Sequence, residues 1–341
     1  MSQISMIEKF WYSPGYFKWL FWPFSLVIQI IAMLKRFFYV QGIQKVNTSS
    51  VPVIVVGNIT VGGTGKTPFI SFLVNEFKTR NIKVGIVSRG YKSNAENYPH
   101  IITEDDTVEV VGDEAFMQYH TTKVPMAVGA DRASAVDALV QTHSLDVIIS
   151  DDGLQHYAMA RQFEILMVDG ERQFGNQLML PFGPLREPVS RVKSVDYVVV
   201  NGGDTEADLI DLSDGISLSH MVIETSKLVH IKSDESVSLS NLKENSVSAV
   251  AGIGNPNRFF KSLSKHCSGY EQKVFVDHHE FQESDFDDLK NDIVVMTEKD
   301  AVKCRKFAKD NWYFLKINAK LTSEDFNQLF DRLDSKLFNK A

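Results

Sequence analysis

Residues 51–77 read VPVIVVGNITVGGTGKTPFISFLVNEF, a β-branched apolar run followed by a glycine-rich loop and a second apolar stretch. The run at 51–57 does not alternate polar with apolar side chains, so it predicts a strand that is buried on both faces. The stretch from Pro68 to Thr79 predicts a helix, because proline is tolerated in a first helical turn. A strand, a glycine-rich loop and a helix in this order are typical of a phosphate-binding motif.

The loop ends in Gly65, Lys66 and Thr67, as in the P-loop pattern G-x-x-x-x-G-K-S/T, although Thr60 replaces the first glycine. We expect its N–H groups to hold ATP phosphates, with Lys66 at the β- and γ-phosphates and the Thr67 hydroxyl on Mg²⁺. The flanking strand and helix favour this interpretation over a glycine-rich turn that contains GKT by chance. The predicted ATP-binding residues of the loop are Thr60, Val61, Gly62, Gly63, Thr64, Gly65, Lys66 and Thr67.

Short apolar runs continue after the loop, with helical patterns between some of them. This alternation predicts an α/β fold with a P-loop NTPase-like, doubly wound, mostly parallel sheet. The predicted P-loop kinase domain covers residues 41–215, an inter-domain connection covers 216–245, and a second, smaller α/β domain covers 246–341. The runs predicted as strands of the first domain are 51–57, 83–91, 124–129, 145–150, 163–168 and 195–200.

An apolar and aromatic stretch, WLFWPFSLVIQIIAMLKRFFYV, occupies residues 19–40. Its apolar part is shorter than the roughly 20 residues of a spanning helix, and Pro23 interrupts it. Flanking aromatic residues, with Lys35 and Arg36, are typical of a helix that lies on an anionic membrane surface. We therefore predict a membrane-associated helix within residues 1–40; a buried core helix is the alternative.

Composition narrows the classes of partner. The 341 residues carry a formal net charge of −7, which argues against a general nucleic-acid binder. The two cysteines, Cys267 and Cys304, form no disulfide framework and no zinc spacing, so a reducing compartment is expected. No protein partner is implied.

Carboxylates follow two of the predicted strands. Asp151 and Asp152 come directly after the strand at 145–150, and Asp169 follows the next one. Because a P-loop enzyme needs a carboxylate beside its magnesium ion, we expect the Asp151–Asp152 pair to serve there, with Asp169 in reserve. Simple turn chemistry at Asp-Gly is the alternative, and the sequence does not decide which aspartate of the pair touches the metal.

Three further stretches carry polar residues beyond what the fold requires. Asp113, in VEVVGDEAF, is interpreted from the residues alone as a helix N-cap. The proline-rich loop LPFGPLREP presents Arg186 and Glu187. In VDHHEF, His278 and His279 are adjacent, and since no metal-ligand spacing surrounds them, polar contact with a substrate is the better interpretation.

These motifs, taken in order, resemble the tetraacyldisaccharide 4'-kinases, the lipid A 4'-kinases of Gram-negative bacteria. The resemblance runs along nearly the whole chain. It rests on GNITVGGTGKTP (57–68), SRGY (88–91), VGDEA (111–115), ADRA (130–133), SDDGLQH (150–156), GPLREP (183–188), AGIGNP (251–256), VDHHEF (276–281) and TEKDAVK (297–303).

The resemblance implies transfer of the γ-phosphate of ATP, with Mg²⁺, to the 4'-hydroxyl of a tetraacyldisaccharide 1-phosphate. The product is lipid IVA, and the implied location is the cytoplasmic face of the bacterial inner membrane. It further implies that Asp113 acts on the acceptor hydroxyl as a base, which replaces the N-cap interpretation. One of His278 and His279 raises the basicity of Asp113, with His279 favoured.

The remaining roles are implied in the same way. The implied catalytic residues are Asp113, Lys66, Asp152 and His279, and Gln155 is a further ATP-binding residue outside the loop. The magnesium ion is assigned to Thr67, Asp151, Asp152 and Glu187. Contact with the substrate is assigned to Glu114, Arg132, Arg186 and His278. A rival interpretation is a membrane-associated P-loop ATPase or GTPase switch that has no phosphate acceptor. A second rival is a soluble small-molecule kinase whose first helix belongs to its core.

Overall fold

One sheet of thirteen strands runs through this computed structural model, which describes residues 10–12, 18–203 and 216–338. The strands are β1 (Val53–Gly57), β2 (Val84–Ser88), β3 (His100–Ile101), β4 (Met126–Val128), β5 (Val147–Asp151), β6 (Phe163–Asp169), β7 (Tyr197–Asn201), β8 (Leu218–His230), β9 (Ser236–Val237), β10 (Val247–Ala251), β11 (Glu271–Val274), β12 (Ile293–Thr297) and β13 (Trp312–Leu321). Their order is β11-β10-β12-β13-β8-β7-β6-β1-β5-β2-β4-β3, and β9 pairs with β8.

Nine helices of α type are described. They are α1 (Lys18–Val40), α2 (Lys66–Thr79), α3 (Val108–Val111), α4 (Asp113–Thr122), α5 (Arg132–Thr142), α6 (Asn241–Glu244), α7 (Pro256–Leu263), α8 (Glu298–Cys304) and α9 (Ser323–Leu337). Two apolar clusters cover the faces of the sheet in its first half, β3 to β7. Two smaller clusters do the same for the second half, β10 to β12. The predicted fold class is therefore confirmed.

The centre of the first half is β1, which is buried along its whole length. It pairs in parallel with β5 on one side and with β6 on the other, and β7 pairs in parallel with β6. Because parallel strands end at the same edge of a sheet, the loops after these four strands meet there. The P-loop, Asp151, Asp169 and Asn201 all lie at this edge.

The two halves of the sheet are joined by a long antiparallel ribbon. Strand β8 has 13 residues and pairs with β7 near its start and with β13 over most of its length. The stretch predicted as an inter-domain connection, 216–245, thus contributes a 13-residue strand to the sheet. Helix α9 then returns to the first half, where Phe330 and Leu333 lie in the same cluster as Phe77 of the P-loop helix. The last helix of the predicted second domain therefore packs in the core of the first.

Helix α1 lies along the outside of the first half. Only 6% of its apolar window is buried, and Leu20 and Phe24 are 66% and 62% exposed, so the alternative of a buried core helix is wrong. One side is attached to the protein: the Ser25 hydroxyl accepts a hydrogen bond from the Met179 N–H at 2.8 Å, and the Phe21 ring stacks on Phe182. The helix also continues through the basic residues to Val40. Of the described helices, it alone is long and apolar enough to cross a membrane.

Candidate active site

The glycine-rich loop forms a cradle between β1 and α2. Gly62 and Gly65 have φ values of 101° and 88°, in the region that side chains other than glycine rarely adopt. The Thr64 carbonyl accepts a hydrogen bond from the Asn201 amide at 3.1 Å, and the Gly63 carbonyl accepts one from Arg172 at 2.8 Å. The Asn201 and Arg172 side chains thus hold the Thr64 and Gly63 carbonyls, and they fix the conformation of the loop at the N-terminus of α2.

Lys66 and Asp152 face each other beside the cradle. The Lys66 ammonium lies 3.4 Å from Asp152 Oδ1 and 3.3 Å from Asn58 Oδ1, and Arg186 contacts Asp152 Oδ2 at 2.7 Å. Burial raises the pKa of Asp152, but the two cations outweigh it and lower the pKa to about 2. Asp152 therefore keeps its negative charge and is the counter-ion of the Lys66 ammonium.

Asp151 is the more buried member of the pair. Its side chain is almost fully enclosed, and its Oδ1 has no hydrogen-bond partner among the described residues. Burial raises its pKa to about 7, and repulsion from Asp152 and Glu114 adds to this against the opposing charge of Lys66. Glu114 lies at the start of α4, which packs against the P-loop helix α2.

A second cluster forms around Asp113, the first residue of α4. Its carboxylate is 7% exposed; Oδ1 accepts from the Glu114 N–H, and Oδ2 lies 2.9 Å from His278 Nδ1. Gly112, with φ 86°, makes this approach possible, because a Cβ there would lie 2.4 Å from the Tyr91 carbonyl oxygen. The SRGY, GDE and DHH motifs therefore meet at one point.

Two lysines of α8 complete this cluster from the other half of the sheet. Lys299 and Lys303 place their ammonium groups 3.9 Å and 3.6 Å from Asp113 Oδ2. Burial raises the pKa of Asp113, but Lys299, His278 and Lys303 together outweigh that effect and lower it. Asp113 is thus an ionised carboxylate at neutral pH, able to accept a proton.

The two histidines have separate partners. His278 contacts Asp113, whereas His279 Nε2 lies 2.9 Å from Asp285 and its ring stacks on Phe275. The histidine favoured by sequence for contact with Asp113, His279, is therefore not the one that the fold brings there. The backbone explains the difference, because His278 has a φ of 59°, which turns its side chain toward Asp113.

Other predicted residues lie at the edge of the site or away from it. Gln155 donates to the Asn58 carbonyl at 3.1 Å, under the P-loop. Arg132 is 2% exposed and donates to the Gly129 and Asp151 carbonyls, and burial lowers its pKa to about 10. Glu187 accepts from the Tyr157 hydroxyl at 2.6 Å and pairs with Arg191 at 3.2 Å. Arg132 thus supports the Asp151 backbone, and the contacts of Glu187 belong to a separate buried network.

The residues at the P-loop fit a magnesium ion that binds together with the phosphates of a nucleotide. No group of three His, Cys, Asp or Glu side chains that could hold a metal occurs in the described ranges. A P-loop site needs only one hydroxyl and one or two carboxylates, since phosphate and water supply the other ligands. Asp151, with its unpartnered buried Oδ1, is a carboxylate of that kind.

The chain is similar to known proteins along nearly its whole length. Residues 17–336 match the family described as Tetraacyldisaccharide-1-P 4'-kinase (LpxK). The chain belongs to this kinase family. The tetraacyldisaccharide 4'-kinase of Shewanella pealeana is 41% identical over 340 residues, which cover 98% of this chain and 99% of the relative. The tetraacyldisaccharide 4'-kinase of Vibrio cholerae is 40% identical, with 96% of each chain covered.

A solved structure of the same kinase family has the same fold. The "apo" form of LpxK from Aquifex aeolicus, crystallised in complex with ATP, matches with a TM-score of 0.79 and 27% identity. The match covers 94% of this chain and 99% of that one. The resemblance predicted from the motifs is therefore confirmed, and so is the assignment of this chain as a tetraacyldisaccharide 4'-kinase.

The sequence contains no signal that assigns a role to several residues of the site. Lys299 and Lys303 lie in TEKDAVK, one of the motifs that carry the resemblance, but a charged helical stretch gives no signal of what it contacts. Asn201 ends β7, and its bond to the Thr64 carbonyl joins positions 137 residues apart. Contacts at such separation come from the sheet order, which local patterns do not contain.

Proposed function

We infer that this chain transfers the γ-phosphate of ATP to the 4'-hydroxyl of a tetraacyldisaccharide 1-phosphate, and that Asp113 is the base. One observation carries the role of Asp113. A buried, ionised carboxylate with His278 at 2.9 Å begins α4, the helix that packs against the P-loop helix α2. A nucleotide switch needs no such group, whereas a kinase needs one to accept the proton of its acceptor hydroxyl.

The residues divide the work of the transfer. The loop N–H groups and Lys66 bind the β- and γ-phosphates and stabilise the negative charge that develops on them during the transfer. Asp113 orients the 4'-hydroxyl and accepts its proton while the new O–P bond forms and the bond to the β-phosphate oxygen breaks. His278 donates from Nδ1 to Asp113 Oδ2 and holds that carboxylate in place.

Magnesium would be held by Thr67 together with Asp151 or Asp152. When bound, the ion supplies positive charge that neutralises the phosphate oxygens. Asp151 offers the free oxygen, and Asp152 offers the fixed negative charge, balanced at present by Lys66 and Arg186. The Tyr157 and Arg191 contacts of Glu187 support a positioning role for the GPLREP loop rather than direct ligation.

The acceptor carries acyl chains, so the enzyme has to work at a lipid surface. We propose that α1 lies on the cytoplasmic face of the inner membrane and brings the site to its substrate. Its exposed apolar side chains would enter the lipid, and its basic end would face anionic headgroups. Lys35 reaches the Gln155 carbonyl at 3.4 Å, so this helix borders the DDGLQH motif directly.

The test is transfer of label from γ-labelled ATP in detergent micelles, with and without the tetraacyldisaccharide 1-phosphate. We expect labelled lipid from the wild type and a loss of about 10²-fold or more in Asp113→Asn, since a general base contributes about 10²–10⁴-fold. Glu109→Gln is the matched control, because its side chain is 70% exposed on the neighbouring α3. Lipid-independent release of phosphate with no labelled lipid would instead indicate a switch.

A further inference from the structure

The ammonium group of Lys299 sits at the centre of the Asp113 cluster. It lies 3.0 Å from Glu114 Oε1, 3.3 Å from His278 Nε2 and 3.5 Å from Asp277 Oδ1. A lysine ammonium has three N–H donors and no acceptor, and here three acceptors surround it. Its side chain is only 15% exposed, so these contacts are made largely out of water.

This placement determines how His278 is protonated. Because Lys299 can only donate, His278 Nε2 has to accept, and the ring proton is left on Nδ1. Nδ1 then donates to Asp113 Oδ2 at 2.9 Å. A doubly protonated imidazolium would point its Nε2–H at an ammonium 3.3 Å away, which two like charges oppose. In this arrangement His278 is neutral and carries its proton on the side of Asp113.

We propose that Lys299 is a positioning residue of the kinase reaction: it holds His278 neutral with its proton on Nδ1, and it thereby keeps Asp113 as the free carboxylate that receives the proton of the acceptor hydroxyl. The inference rests on the proposed role of Asp113. Lys299 itself does not contact the substrate in this proposal. It acts through the His278 imidazole and the Asp113 carboxylate.

The lysine comes from a different half of the sheet than the carboxylate it serves. Lys299 is in the first turn of α8, directly after β12, whereas Asp113 begins α4 in the P-loop half. The hydrogen-bonded cluster around Asp113 is therefore built from both halves of the sheet.

Other charged groups face the same carboxylate and enter its titration. Lys303 lies 3.6 Å from Asp113 Oδ2 and also contacts Asp300 and the His279 carbonyl. Glu114 and Asp277 oppose the two lysines from α4 and from the DHH segment. Lys299 is distinguished from Lys303 by its bond to His278, so loss of Lys299 changes the tautomer as well as the charge.

The first experiment reads the tautomer directly. In micelles, ¹⁵N-histidine-labelled wild type is expected to show His278 as the neutral Nδ1–H form near pH 7, with the signal assigned by its absence in His278→Gln. In Lys299→Met we expect the Nδ1–H form to lose its dominance over the Nε2–H form, because the donor at Nε2 is gone. Lys306→Met is the control, because its partner Glu109 and its own side chain are exposed.

The second experiment reads the base through kinetics. Asp113 has a pKa lowered in part by Lys299, so removal of that cation raises it. The acid limb of kcat/KM in Lys299→Met is expected to move to higher pH, because a nearby positive charge favours the ionised carboxylate. The deficit relative to wild type then grows as pH falls and shrinks above the new pKa. Lys299→Arg, which keeps the charge, should restore most of the acid limb.

The outcomes separate the two inferences. An Nε2–H tautomer in the wild type, or an acid limb that coincides in Lys299→Met and Lys306→Met, would overturn the role of Lys299. A folded wild type that transfers no phosphate to lipid would overturn the proposed function, while the tautomer measurement would still stand. Thermal unfolding of each variant shows whether it is folded, and an Nε2–H tautomer in the wild type overturns the role of Lys299 even if Lys299→Met does not fold.

Discussion

Gly65→Ala should damage the phosphate cradle far more than Gly63→Ala, two positions away in the same loop. Gly65 has a φ of 88°, and a Cβ there would lie 2.4 Å from Asn201 Nδ2 and 3.1 Å from Met221 Cε. Gly63 has no atom within 4 Å of its ideal Cβ, and its φ is not positive. Both variants replace one loop glycine by alanine, so a difference between them reports the local conformation and crowding at Gly65.

The magnitude follows from two terms. Holding a residue other than glycine in a left-handed conformation costs about 1–2 kcal/mol. The Asn201 amide has to leave its bond to the Thr64 carbonyl, and a buried donor without a partner costs about 1–3 kcal/mol. We therefore expect Gly65→Ala to lower the free energy of unfolding by about 3 kcal/mol, and Gly63→Ala to change it by less than about 0.5 kcal/mol.

The assay is urea unfolding in micelles, combined with calorimetric titration of ATP. If the loop moves to relieve the clash, part of the loss appears as weaker ATP binding, at about tenfold per 1.4 kcal/mol. The double variant Gly65→Ala/Asn201→Ala should be less destabilised than the sum of its single variants, because the second change removes the atom that the first one strikes. Equal losses for Gly63→Ala and Gly65→Ala, or strict additivity in the double variant, would refute the reasoning.

Three further predictions concern contacts outside the loop. Arg258→Gln removes an ion pair of 2.7 Å to the buried Asp169 that joins the two halves, and should cost about 1–2 kcal/mol by urea unfolding. Leu20→Ser with Phe24→Ser should reduce co-sedimentation with anionic vesicles and leave the unfolding midpoint nearly unchanged, because both side chains are exposed. Burial and neighbouring guanidinium charges lower the pKa of His156 to about 4, so the unfolded chain takes up the proton first. Stability should fall as pH drops from about 6.5 to 4, less steeply in His156→Asn.

The first half of the sheet was predictable because its strands are central. A β-branched run without alternation, as at 51–57, has few structures available other than a strand buried on both faces. Strand β8 is different. The middle of this strand, residues 222–227, contains no buried residue, and its partner β13 lies about 90 residues later, so its sequence reads equally well as a connection. Pairing at that distance is set by the whole sheet.

The candidate site divides in the same way. Lys66, Asp151 and Asp152 could be predicted, because the loop after a buried parallel strand is where such a sheet binds its ligand. The choice between His278 and His279 could not, since it depends on one backbone angle. In the sequence, Lys299 is one of several charged residues in a short helix, a pattern that is typical of the surface. Its contact with Glu114 depends on the packing of α8 against α4.

The position of α9 has a consequence for how the protein is made. Its side chains Leu329, Phe330 and Leu333 close the core against which the P-loop helix packs, although residues 66–79 leave the ribosome some 250 positions earlier. The nucleotide-binding half of a growing chain therefore lacks one side of its core until residues 323–337 have been made. The clusters around β10 and β12 are built from residues 228–315 and are therefore complete before α9 is made. A nascent chain stalled before α9 would leave Phe77 without its aromatic partner Phe330, and exposed apolar surface of this kind favours aggregation.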